Sequence, residues 1–183
     1  MSSREPSGAD GLEMTVTSGR RVFFSFHYEE DIWRASNVRM SGEFDARARV
    51  GWDDASLWEE AKRKGPAEIR RLIDAGLKGT SVTAVLIGTE TASRPWVKYE
   101  IEKSVERGNG LLGIRIHSIK DRDGKHSRRG SVPDGLHGNG YRVYEWNARA
   151  LGRWVEHAAI DAGKPCLAHE RKQCAMCRWL WWW

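Results

Sequence analysis

The 183-residue sequence holds three cysteines, and all of them, Cys166, Cys174 and Cys177, fall in its last 18 residues. No disulfide framework can brace what precedes them, so that region must be held by apolar burial, for which about 145 residues suffice. No run approaches the roughly 18 apolar residues of a membrane-spanning helix. The opening stretch, MSSREPSGADGLEMTVTSGR, lacks the apolar segment of a secretory signal, and the expected location is the cytoplasm. No internal repeat is visible.

A strong excess of one charge is missing too. The formal net charge is +5, but residues 164–183 contribute +3 and residues 1–20 contribute −1. The loop KDRDGKHSRRG, residues 120–130, supplies another +3. The remaining body is close to neutral. Such a loop reads as a solvated surface, and neither nucleic acid nor membrane is expected as a partner.

What is present is an alternation of short apolar runs and amphipathic segments. RVFFSF (21–26), SVTAVLIG (81–88), LLGIRIH (111–117) and YRVYEW (141–146) read as strands, and a further strand is expected within 41–52. EEDIWRASNVRM (29–40) reads as a helix on Ile32, Ala35, Ser36 and Arg39, and Pro66 opens a second on Ile69, Leu72, Ile73 and Leu77. Val97, Ile101, Ser104 and Val105 form the packing stripe of a third, with Ser93 as its N-cap and Pro95 in its first turn. Leu151, Trp154, Val155 and Ala158 mark a last helix within 147–163. Residues 41–64 read as mostly irregular, and Trp33, Trp146 and Trp154 as core. Strands alternating with helices predict an α/β, flavodoxin-like three-layer sandwich around a central parallel sheet. The expected division is a mobile lead-in at 1–20, one domain at 21–163, and an irregular Cys/Trp-rich tail at 164–183. In that tail Cys166, His169, Cys174 and Cys177 offer four zinc-type ligands on a spacer short for a closed site, and an unstructured segment is the simpler reading.

In such a sheet, ligands bind outside the carboxyl ends of the strands. That rule selects Phe26, His27 and Tyr28 after the first strand, Thr89 to Arg94 after SVTAVLIG, and His117 and Ser118 after LLGIRIH. Trp96 and Glu100 are i, i+4 neighbours on the helix after SVTAVLIG, at the border between its packing stripe and solvent. A carboxylate there can be partly desolvated while an indole walls it. Spacing alone favours one more surface glutamate, since Glu102 and Glu106 share the helix. His27 reads equally as a phosphate or ribose contact and as a partner for a backbone carbonyl. Trp58 reads as packing under a loop rather than as a base-stacking platform.

The series VFFSFHY (22–28), DASLWE (54–59), GTSVTAVLIG (79–88) and WVKYEI (96–101), in that order, resembles the TIR-like ThsB family of Thoeris anti-phage defence. LLGIRIH and LGRWVEHAA fit the same pattern, so the resemblance spans about 21–163. It implies a TIR fold and an NAD+ nucleosidase that releases nicotinamide and makes a cyclic ADP-ribose-type second messenger. NAD+ is then the substrate, with no separate cofactor and no metal. The messenger would activate a separate effector, ThsA, after a phage component triggers the enzyme, and a homo-oligomer could complete the pocket. The family's catalytic glutamate falls on Glu100. Similarity to TIR enzymes more broadly places Phe26, His27, Asp54 and Ser56 around the nucleotide, with Trp96 beside the acid.

One carboxylate suits that chemistry. Most glycosidases need a second to protonate an alkoxide leaving group. Nicotinamide leaves as a neutral base, so the remaining demand is to stabilise a ribose with oxocarbenium character. Two other classes stay in view. A TIR module working only by assembly has no physical need for the Trp96–Glu100 pair. A phosphoacceptor receiver needs an aspartate at a central strand end, and SVTAVLIGTE has none.

Overall fold

The computed structural model describes residues 19–41, 49–50 and 55–164, giving only the backbone course for 49, 50, 55 and 56. Five strands, β1 (Val22–Ser25), β2 (Arg49–Val50), β3 (Val82–Ile87), β4 (Gly110–Arg115) and β5 (Val143–Glu145), form one sheet. All pairings are parallel and the order is β2-β1-β3-β4-β5. The helices are α1 (Tyr28–Arg39), α2 (Ala55–Lys64), α3 (Pro66–Leu77), α4 (Pro95–Glu106), α5 (Asp134–His137) and α6 (Leu151–Asp161). This is the flavodoxin-like order, whose switch point lies between β1 and β3.

Strand parity builds the two faces. Val22, Phe24, Val82, Ala84, Leu86, Leu112 and Ile114 turn toward α1 and α6, meeting Ala35, Val38, Leu151 and Val155. On the other face Phe23 meets Trp58, Ala61, Ile69, Ile73 and Leu77 of α2 and α3. Beside it Val85, Ile87 and Leu111 meet Val97, Ile101 and Leu136 of α4 and α5. β3 is buried at all six positions, as a strand covered on both sides requires. Arg20 and Glu156 join the chain just before β1 to α6 through a buried two-pronged ion pair, with contacts of 2.7 and 2.8 Å.

Several expectations need correction. Residues 55–64 are a helix rather than irregular chain, with Trp58 and Ala61 on its buried side. Val105 is 45 % exposed, and the buried positions of α4 are Val97, Glu100, Ile101 and Ser104. The α4 N-cap is Arg94, while Ser93 closes a preceding 3-10 turn and donates to Glu90 O. Trp33 is exposed rather than core; Trp146 and Trp154 are partly buried against the α1/α6 face. On α1 the buried face is shifted to Asp31, Arg34, Ala35, Val38 and Arg39. Three of these five are charged, which defeats a reading based on apolar period. The predicted cysteine-rich tail lies outside the described residues.

The charged 120–130 loop is strapped down. Arg34 Nε donates to Ile119 O at 3.0 Å, and its Nη2 reaches Asp121 Oδ2 at 3.1 Å and Lys125 O at 3.2 Å. Arg115 Nη1 donates to Gly130 O at 2.7 Å, bringing Gly130 so close to Gly88 that a Cβ there would lie 1.8 Å from Gly88 O. Only glycine fits that crossing.

Candidate active site

A cleft of about 250 Å³ opens at the carboxyl ends of β1 and β3, the switch point of the sheet. Phe26, His27, Tyr28 and Glu29 enter it from the β1–α1 junction, and Trp58 and Lys62 from α2. Arg94, Pro95, Trp96, Val97 and Glu100 enter from the start of α4.

Glu100 is 2 % exposed. The expectation of a rim position is thus corrected: α4 is rotated so that the acid faces the sheet. Two facts bring it there. Ser25, the last residue of β1, shares strand parity with Phe23 and so points to the α4 side. Its hydroxyl donates to Glu100 Oε2 at 2.5 Å. One turn on, Ser104 Oγ bonds Glu100 O at 2.6 Å and Thr83 Oγ1 at 2.8 Å. α4 therefore docks on β1 and β3 through a polar seam flanked by Val97 and Ile101. An amphipathic reading cannot see such a seam. Burying a carboxylate costs several kcal/mol before its partners offset it.

Aromatic rings wall the cleft. Phe26 and Tyr28 lie with centroids 6.2 Å apart, and Tyr28 meets Trp58 at 5.6 Å. Trp96 packs edge-on to Tyr99 at 6.2 Å. Trp58 is buried in the α2/α3 cluster and lines the cleft as well, so it packs and faces the cleft at once. Two cations stand at the rim, each held by an exposed carboxylate: Lys62 by Glu29 and Arg94 by Glu90. Exposed pairs of this kind contribute little, and either cation can exchange its partner for a ligand's phosphate at small cost.

His27 sits at the N-cap position of α1 and makes no side-chain cap. Its Nδ1 is buried without a hydrogen-bond partner, so the carbonyl-satisfying role is not seen. Burial first, then the charge of Arg94, lowers its pKa from the ordinary 6.5, keeping the ring neutral at pH 7. Next to it Asp31 is 1 % exposed. Its Oδ2 lies where a Cβ on Gly88 would clash at 2.0 Å and accepts no hydrogen bond. Burial pushes its pKa up to about 6, opposed by Arg34, whose Nη1 is 3.5 Å from Oδ1.

Of the predicted site residues, Phe26, His27, Trp96 and Glu100 converge on one cleft. Asp54 and the Ser56 side chain lie outside the described residues. His117 stands apart, 3.9 Å from Glu145. Ser25 was passed over because it reads as an ordinary strand residue; its place at the carboxyl end of the strand was the available signal. Lys62 and Glu29 were also missed.

A flavodoxin-like sheet with a buried acid and aromatic walls at its switch point, the acid on the helix after the central strand, defines a TIR-like domain. Residues 23–121 match the family described as Thoeris protein ThsB, TIR-like domain. A Bacillus cereus (strain MSX-D12) protein named "Putative cyclic ADP-D-ribose synthase ThsB1" is 42 % identical over 147 residues, 75 % of each chain. The chain belongs to the ThsB family of TIR-like Thoeris proteins. Among its described residues no helix is long and apolar enough to cross a membrane.

Proposed function

We propose that this chain cleaves NAD+ at the nicotinamide–ribose bond and closes the remaining ADP-ribose into a cyclic messenger. The observation that carries the reading is Glu100, buried at the cleft floor and oriented by Ser25. The C1′–N1 bond breaks and its electron pair leaves with nicotinamide, a neutral base that needs no proton. Positive charge grows on the ribose, and Glu100 stabilises it in a pocket that excludes water. Fixing the carboxylate in advance spares reorganisation during the step.

A hydroxyl or adenine nitrogen of the same molecule then bonds to C1′ and releases its proton to solvent. Phe26, Tyr28, Trp58 and Trp96 supply the water-poor walls that favour this internal capture over hydrolysis. A cleft of about 250 Å³ is small against the ~300–1,000 Å³ of typical ligand sites. It houses the nicotinamide riboside end. The diphosphate lies toward Lys62 and Arg94 at the rim, and the adenosine beyond it, where a second copy of the chain would complete the site. The cyclic product activates a separate effector, the ThsA partner of Thoeris systems, once a phage component has triggered the enzyme.

The test is incubation with NAD+, with and without extract of infected cells, followed by mass spectrometry. Nicotinamide together with a product one water lighter than ADP-ribose is expected. Linear ADP-ribose alone would remove the cyclisation. No nicotinamide even with the trigger would leave a module that acts by assembly.

A further inference from the structure

We propose that His27, Glu30 and Glu90 form a divalent transition-metal site at the mouth of the cleft. Only its role toward a diphosphate rests on the NAD+ reading.

His27 stands at the N-cap of α1 and Glu30 lies in the first turn of that helix, while Glu90 comes from the β3–α4 connection. One donor atom from each lies within 4.8 Å of the other two. The independent observation is the imidazole itself. The His27 side chain is 8 % exposed, and its buried Nδ1 has no hydrogen-bond partner; the nearest carboxylate, Glu30 Oε2, is 3.7 Å away. A buried ring nitrogen left unmet is unfavourable. An ion placed between these donors would meet it.

The donor set decides the class of ion. One imidazole with two carboxylates suits Mn2+ or Zn2+ better than the all-oxygen demand of Ca2+. Ligands on such an ion, each at ~2.0–2.2 Å, stand roughly 3–3.5 Å from one another. The present spacing therefore needs a small closure. The Glu30 and Glu90 side chains are both 46 % exposed and free to make it, while the buried imidazole stays fixed.

The charge around the mouth gives the site a purpose. Glu29, Glu30 and Glu90 face Lys62 and Arg94, leaving a residual charge of −1 where a doubly negative diphosphate would arrive. A divalent ion turns that −1 into +1. It also takes Glu90 away from Arg94, whose guanidinium already lines the cleft and whose Nε has no hydrogen-bond partner. Metal and guanidinium could then hold the diphosphate together, the usual manner in which a weakly caged divalent ion is shared between carboxylates and phosphates.

Mn2+ titration of the full chain, read by loss of the free-ion signal in electron paramagnetic resonance, tests this directly. One Mn2+ per chain is expected, weakened at least tenfold in the Glu30→Gln/Glu90→Gln double variant, whose exposed positions leave folding intact. In a Glu100→Gln background, where NAD+ persists, NAD+ should tighten Mn2+ binding severalfold, and Mn2+ should tighten NAD+ by the same factor. The double variant should abolish this coupling. Weak binding of equal strength in both chains would overturn the site. A specific site indifferent to NAD+ would overturn its role at the diphosphate. Absence of turnover leaves the metal readout untouched, so the two proposals fail separately.

Discussion

The two ends of the sheet carry hollows of different size and different character. At the amino edge, between α4, β4 and α6, lies the larger, about 490 Å³, lined by Gly108, Asn109, Gly110, Asn139 and Arg142 among others. Its polar groups are settled. Asn109 Nδ2 bonds Thr80 Oγ1 at 2.8 Å, Asn139 Nδ2 bonds Gly135 O at 2.9 Å, and Arg142 pairs with Asp161 at 3.5 Å. At the carboxyl edge the cleft is half that volume. There His27 Nδ1, Asp31 Oδ2 and Arg94 Nε are buried without hydrogen-bond partners, and Glu100 is sunk beside them. Unmet polarity, rather than volume, sets the carboxyl edge apart and is what the proposed chemistry draws on. The amino edge should govern stability and the carboxyl edge turnover.

The sharpest break of that division is Glu156→Ala. It breaks the buried two-pronged ion pair with Arg20 near the amino edge and should cost about 3–5 kcal/mol in urea denaturation. Nicotinamide release per folded molecule should not change.

Asp31→Asn should act in the opposite sense. In the folded chain the carboxyl holds its proton up to about pH 6, against about 3.8 when unfolded. Stability therefore falls as pH rises between those values. The substitution removes that loss, a gain of up to about 3 kcal/mol at pH 7.5 and none at pH 3.5. Denaturation curves of both chains at the two pH values would show it, and a gain independent of pH would contradict the assignment.

Gly110→Ala places a Cβ 2.2 Å from Ala158 O and should destabilise by about 1–3 kcal/mol, again with kcat unmoved. Ser25→Ala is the reverse case. It should lower kcat for nicotinamide release about tenfold, the ~1.4 kcal/mol of one orienting hydrogen bond, with KM little changed. An effect on KM alone would mean that Ser25 touches substrate rather than positioning the acid.

Much of this fold is legible in the residues. The continuous apolar run of β3 announces a strand covered on both faces, and Pro66 and Pro95 sit at real helix starts. What escaped did so for physical reasons. Among its described side chains α2 shows Trp58 and Ala61 to the core and is charged at its carboxyl end, so its period is too short to read. The interior face of α4 contains Glu100, which a hydrophobic count sends to solvent, and Val105 was drawn inward in its place, while Ser104 is buried as its spacing suggests. The pairing of Glu100 with Trp96 was visible as an i, i+4 spacing, but its burial depends on Ser25, 75 residues away in sequence. The rim charges come from three places, Glu29 on α1, Lys62 on α2 and the Glu90–Arg94 pair before α4, and only the closed sheet brings these three together.

On the proposed reading, the domain buries the Glu100 carboxylate for turnover rather than for folding. The most direct measurement is nicotinamide release by trigger-activated Glu100→Gln beside the parent chain, with the urea midpoint of each recorded. A fall of about 10²–10³-fold with no loss of stability is the expected result. Equal turnover in the two chains would contradict it.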